Sequence, residues 1–87
     1  MNQRQHKWRY GSLILDTNKF YALQEDGASE AIVHTFTTGD PIQIWLGGQW
    51  IEGHIEYGSE KNGYYFLSNE GGFAGLMYGM RARIDSN

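Results

Sequence analysis

The stretch that decides the fold is Gly39-Asp40-Pro41-Ile42-Gln43-Ile44-Trp45-Leu46-Gly47-Gly48-Gln49-Trp50-Ile51-Glu52-Gly53-His54-Ile55-Glu56-Tyr57. Pro41 fixes its own φ and pushes Asp40 into an extended conformation, so a turn ends here and a strand begins. Ile42 to Leu46 alternates apolar and polar or amphipathic residues, the period of a half-buried strand. Gly47-Gly48 tolerates the two positive φ angles of a type I′ turn, and Gln49 to Tyr57 runs back as the second arm. A two-residue loop leaves one register: Leu46 opposite Gln49, Trp45 opposite Trp50, Ile44 opposite Ile51, Gln43 opposite Glu52 and Ile42 opposite Gly53. Ile42, Ile44, Leu46, Ile51 and Ile55 then share one face. Gln43, Trp45, Trp50, Glu52, His54 and Glu56 share the other.

Outward from this hairpin the chain reads as strand after strand. Gly58-Ser59-Glu60-Lys61-Asn62-Gly63 turns it, with Asn62-Gly63 a strong hairpin signal, and Tyr64 to Ser68 pairs back with Tyr57 opposite Tyr64. That pairing places Phe66 on the Ile55 face and sets Tyr65 and Leu67 beside His54 and Glu56. Glu70-Gly71-Gly72 reverses the chain into Phe73 to Tyr78. The last strand sends Met80, Ala82 and Ile84 inward and Arg81 and Arg83 outward, which reads as the closing strand of a barrel. Towards the N-terminus, Trp8 to Leu15 returns through Asp16-Thr17-Asn18-Lys19 into Phe20 to Gln24, a second hairpin. Asp26 to His34, with Ala28, Ala31 and Ile32, is the one helical candidate, weakened by Gly27. Residues 1–7 read as a flexible tail, and 8–87 as a single domain that includes the hairpin over 8–24.

The expected class is therefore all-β: about five antiparallel strands over 39–84 forming a small barrel, with Gly53 supplying its bend, preceded by an N-terminal β-hairpin. Gly39-Asp40-Pro41-Ile42-Gln43-Ile44 followed by Gly48-Gln49-Trp50-Ile51-Glu52-Gly53-His54-Ile55 resembles the "GDxVxV … GxWxxAxV" pattern of SH3-like and Tudor-type barrels. The stretch from Gly39 to Ile84 also resembles an uncharacterised small domain family of Firmicutes, their prophages and mobile elements. That second resemblance implies a fold and a mobile-element setting, and no chemistry.

Composition excludes several classes. At 87 residues the chain is one small domain, and with no cysteine it has neither disulfides nor a thiol nucleophile. Aromatics at 15% are too many for a disordered chain. No apolar run reaches the ~20 residues of a membrane-spanning helix, and the start lacks a secretory signal, so a cytoplasmic location away from membranes is expected, and the mobile-element resemblance implies a bacterial host cell. The formal net charge is −3, but between Tyr10 and Met80 nine acids stand against Lys19 and Lys61. Arg4, Lys7, Arg9, Arg81 and Arg83 crowd the two ends. An acidic body disfavours nucleic acid, whose binding draws on clustered cations, and suits a protein partner with a basic surface.

Catalytic signals are weak. His6, His34 and His54 lack metal-ligand spacing, and no glycine-rich stretch leads from a strand into a helix. Glu52, His54 and Glu56 share one face of one strand, as solvated positions do. No enzyme activity, cofactor or metal is expected. The informative feature is the Trp45 and Trp50 pair on the face away from the isoleucines, flanked by Gln43, Glu52, His54, Glu56 and Tyr65. Such an aromatic face with an acidic rim suits a non-catalytic binding module for a protein surface or peptide, and cages of this kind hold cationic side chains. Alternatively the N-terminal hairpin folds over these indoles as a second layer. Three further readings stand beside the first. One is an inhibitor of a host defence system, either anti-CRISPR-like, occluding a nucleic-acid-binding cleft, or sequestering a nucleotide signal. Another is a nucleic-acid-binding barrel using the terminal cations. A third is homodimerisation through open sheet edges.

Overall fold

A computed structural model describes residues 7–27, 30–61 and 63–86. It is all-β, with eight strands in one antiparallel sheet: β1 (Trp8–Leu15), β2 (Tyr21–Glu25), β3 (Ile32–Thr35), β4 (Pro41–Leu46), β5 (Gln49–Gly58), β6 (Gly63–Ser68), β7 (Phe73–Gly75) and β8 (Arg81–Asp85). The strand order is β3-β2-β1-β8-β4-β5-β6-β7.

The β4–β5 hairpin has the register read from its turn, from Leu46 opposite Gln49 to Ile42 opposite Gly53. Gly47 and Gly48 both have positive φ, 61° and 82°, as a type I′ turn demands. In β5–β6, Tyr57 faces Tyr64 and Ile55 faces Phe66. Asn62 lies outside the described residues, and Ser59–Lys61 form a single 3₁₀ turn. In the first hairpin, the Asp16 carboxylate accepts the Asn18 and Phe20 amides at 2.8 and 2.9 Å, which closes the loop.

Two expectations are corrected. The helical candidate Asp26 to His34 overlaps β3 (Ile32–Thr35) over its last three residues, and Ala28 and Ser29 lie outside the described residues. Three of the four residues from Ile32 to Thr35 are β-branched, and the run pairs with β2 across a bulge at Leu23/Gln24, which outweighs two alanines. The last strand, moreover, closes no barrel. The sheet is open, with β3 and β7 at its ends, and β8 lies inside it between β1 and β4. Residues 1–6 of the expected tail lie outside the described residues.

One face of the coiled sheet forms the core. Leu13, Leu23, Phe36, Ile42, Ile44, Ile55, Phe66, Leu76 and Ala82 are buried there, with Met80, Ile84 and Ile51 packed against them. The N-terminal hairpin thus gives Leu13 and Leu23 to the isoleucine side. Two mid-strand glycines let the sheet coil this tightly. A Cβ on Gly53 would collide with the Leu67 carbonyl and lie 2.7 Å from the Phe66 ring, and one on Gly11 would collide with the Gln24 carbonyl. Beyond the ladders, the Tyr21 hydroxyl donates to the Leu76 carbonyl at 2.8 Å, drawing β2 towards the chain that leaves β7. Among the described residues no helix is long and apolar enough to cross a membrane.

Candidate functional site

Alternation dictates what the outer face carries. With Leu13 and Leu23 inward, Trp8 and Tyr10 of β1 point outward; with Ala82 inward, so does Arg83 of β8. The ladders place Tyr10 opposite Arg83, Arg83 opposite Gln43, and Gln43 opposite Glu52, one row across four strands. Hydrogen bonds follow the row. Arg83 Nη1 reaches the Tyr10 hydroxyl at 3.4 Å, Arg83 Nε donates to Gln43 Oε1 at 2.8 Å, and Gln43 Nε2 donates to Glu52 Oε1 at 3.2 Å.

An aromatic cluster surrounds this row. Trp45 and Trp50 meet edge to face at 5.2 Å, and Trp50 lies 5.8 Å from Tyr10. The Arg83 guanidinium stands over the Trp8 ring at 4.0 Å and over the Trp50 ring at 4.5 Å. Both indoles thus offer their negative faces to a cation supplied by the chain itself. Trp45, at the rim, is 43% exposed, so no second layer covers it among the described residues.

A groove of about 680 Å³ opens beside the cluster, lined by Trp8, Gln43, Glu52, His54, Glu56 and Arg83 together with His34, Asp40 and Asp85. Two histidine–carboxylate pairs flank it: His54 with Glu56 at 2.9 Å and His34 with Asp40 at 2.8 Å. Burial opposes ionisation of Asp40, but the Thr37 amide at 3.0 Å and the His34 ring outweigh it and hold the carboxyl below its ordinary range. Among the described residues no group of three or more such side chains is arranged to hold a metal ion.

Of the residues singled out from the sequence, Gln43, Trp45, Trp50, Glu52, His54 and Glu56 lie together on this face. Tyr65 is opposite Glu56 but packs against Phe73 at 6.3 Å and lines a second, tyrosine-rich groove with Tyr57 and Tyr64. Sequence reasoning missed Trp8, Tyr10, His34 and Asp40, and it took Arg83 only as an outward cation. The alternation in Trp8-Arg9-Tyr10 and in Arg81-Ala82-Arg83 was the available signal. What it lacked was the knowledge that β1 and β8 are neighbours.

No curated protein and no solved structure matches the sequence. A family model, a domain of unknown function designated DUF5348, matches residues 11–84, a span that takes in every strand in whole or in part. The chain belongs to the DUF5348 family.

Proposed function

We propose that this protein is a non-catalytic binding module that docks a protein surface or an extended peptide on its outer sheet face. The observation that carries the reading is Trp45, half-exposed and edge-on to Trp50 on the side opposite the core. Large apolar area of this kind on a small domain marks interaction surfaces, and tryptophan, tyrosine and arginine are the residues most enriched where binding energy concentrates. Glu52 and Glu56 form an acidic edge that favours basic residues around the partner's contact.

Charge placement favours this over nucleic-acid binding. Arg9 is paired with Glu25 at 2.7 Å and Arg81 with Asp26 at 2.6 Å, so two of the five terminal cations are already engaged. The SH3-like relationship, the bacterial mobile-element setting and a cytoplasmic location belong to the same reading. They rest in turn on the Gly39–Ile55 pattern, on the resemblance of the Gly39–Ile84 stretch to a mobile-element domain family, and on the absence of a long apolar run in the sequence.

The test is a titration of the protein with a panel of synthetic peptides of graded charge, followed by tryptophan fluorescence. Peptides with aromatic and basic residues bind, and binding is lost in Trp45→Ala, which keeps the melting temperature within a few degrees. Equal binding by the unmodified protein and Trp45→Ala rejects this face as the docking site.

A further inference from the structure

The described residues include three arginines with different fates. Arg9 and Arg81 each hold a carboxylate, the latter with both terminal nitrogens, at 2.6 and 2.8 Å. Among the described residues Arg83, at the centre of the aromatic face, forms no ion pair and donates no hydrogen bond from Nη2. The residue opposite it on β4 is an amide, and Gln43 stands between the guanidinium and the Glu52 carboxylate with its carbonyl towards one and its NH₂ towards the other. Asp85, two residues along β8, accepts the Lys7 amide at 3.4 Å. Among the described residues, Arg83 is held by hydrogen bonds and aromatic rings and by no carboxylate.

Stacking leaves a guanidinium only one direction in which to act. Its Cζ lies over the Trp8 and Trp50 rings, Gln43 takes Nε and the Tyr10 hydroxyl takes one N–H of Nη1 at 3.4 Å, so Nη2 and the second N–H of Nη1 are what remain for a ligand. A planar N–H edge held in one orientation matches a carboxylate, and holding it still in advance reduces the entropy lost on binding. The cation place that an aromatic cage would offer to a partner's lysine or arginine is already filled by Arg83.

We infer that Arg83 takes a carboxylate from the partner: a glutamate or aspartate side chain at the centre of the contact, with basic side chains two or more residues away meeting Glu52 and Glu56. This rests on the docking reading above and names the charge pattern of its partner. An acidic centre with a basic surround is complementary to a face whose central cation is flanked by acids, Glu52 and Glu56 on β5 and Asp85 on β8.

The experiment uses two synthetic peptides, Lys-Thr-Tyr-Thr-Glu-Thr-Tyr-Thr-Lys and the same peptide with Gln in place of Glu. In an extended strand every second side chain falls on one face, so Lys, Tyr, Glu, Tyr and Lys meet the sheet together. Each is titrated into the unmodified protein, Trp45→Ala, Arg83→Gln and Arg83→Lys, following tryptophan fluorescence and the Arg83 side-chain N–H resonance. The Glu peptide binds the unmodified protein about tenfold tighter than the Gln peptide. That ratio falls to within about twofold in Arg83→Gln and is intermediate in Arg83→Lys, while Trp45→Ala weakens both peptides. Equal affinity of the two peptides for the unmodified protein, with binding still dependent on Trp45, overturns the carboxylate assignment and leaves the docking face standing. Binding of neither peptide at millimolar concentration overturns both. The decisive comparison needs no variant, so a variant that fails to fold does not weaken it.

Discussion

The Arg83 guanidinium lies over the indole of Trp8 at 4.0 Å, and the strands that carry them, β8 and β1, are the last and the first along the chain and neighbours in the sheet. This contact sits on a ladder that runs from Trp8 opposite Asp85 to Ser12 opposite Arg81. A cation stacked on an indole at a partly exposed site contributes about 0.5–1 kcal/mol. Trp8→Ala and Arg83→Ala therefore each lower stability by roughly 1 kcal/mol, and a double-mutant cycle in urea shows a coupling of about 0.5–1 kcal/mol. Strict additivity would mean that the two side chains are neighbours without interaction.

Gly53→Val destabilises by about 3 kcal/mol or more, the upper end for overpacking, because the new Cβ meets a backbone carbonyl and an immovable core ring. Gly11→Ala is costly for the same reason, although Gly11 lies outside the hairpin that decided the fold. Glycine at position 72, where the nearest atom to a Cβ is Ser68 Oγ at 3.6 Å, tolerates alanine and serves as the control. Chemical denaturation of the three variants ranks them.

Trp45→Ala changes stability by about 1 kcal/mol or less, whereas Phe36→Ala or Phe66→Ala costs about 3–5 kcal/mol. Phe36 and Phe66 are 1% and 2% exposed, while Trp45 makes its ring contact at the rim. Iodide quenching of single-tryptophan variants follows the same order, with Trp45 quenched most and Trp50 partly shielded by Tyr10 and Arg83. Quenching of Trp50 equal to that of Trp45 would count against the stacked arrangement.

Asp40 makes part of the stability pH-dependent. Its carboxyl is held below its ordinary range in the folded state by the Thr37 amide and the His34 ring, against the cost of burial. A depressed folded value means that the contribution is complete above the unfolded pKa and disappears as the pH falls through the folded one. Urea midpoints measured downwards through the carboxylate range decline, and Asp40→Asn flattens the decline while lowering the midpoint at neutral pH. Glu25 and Asp26 are lowered in the same direction by Arg9 and Arg81; Glu25 is half-buried and Asp26 exposed, and solvent screens the Asp26 pair, so Asp26→Asn changes the slope less.

By itself the sequence determined the pairings of three hairpins, β4–β5, β5–β6 and β1–β2. Gly47-Gly48 set Trp45 against Trp50 and the Gly58–Gly63 loop set Tyr57 against Tyr64, because a tight loop and a period of two leave no other register, while Asp16 marked the turn of the first hairpin without its register. It also showed which side chains share a face within each hairpin, and hence most of the candidate site. Only the tertiary structure decided that β8 pairs with both β1 and β4. No turn joins those strands; their pairing follows from burial of Leu13, Ala82 and Ile44 in one core, a choice among distant alternatives that local patterns do not rank. Phe36 went unmarked because it follows β3 between two threonines, where no alternation exposes it. The stacking of Arg83 on Trp8 and Trp50, and the open sheet in place of a closed barrel, are consequences of that one long-range pairing.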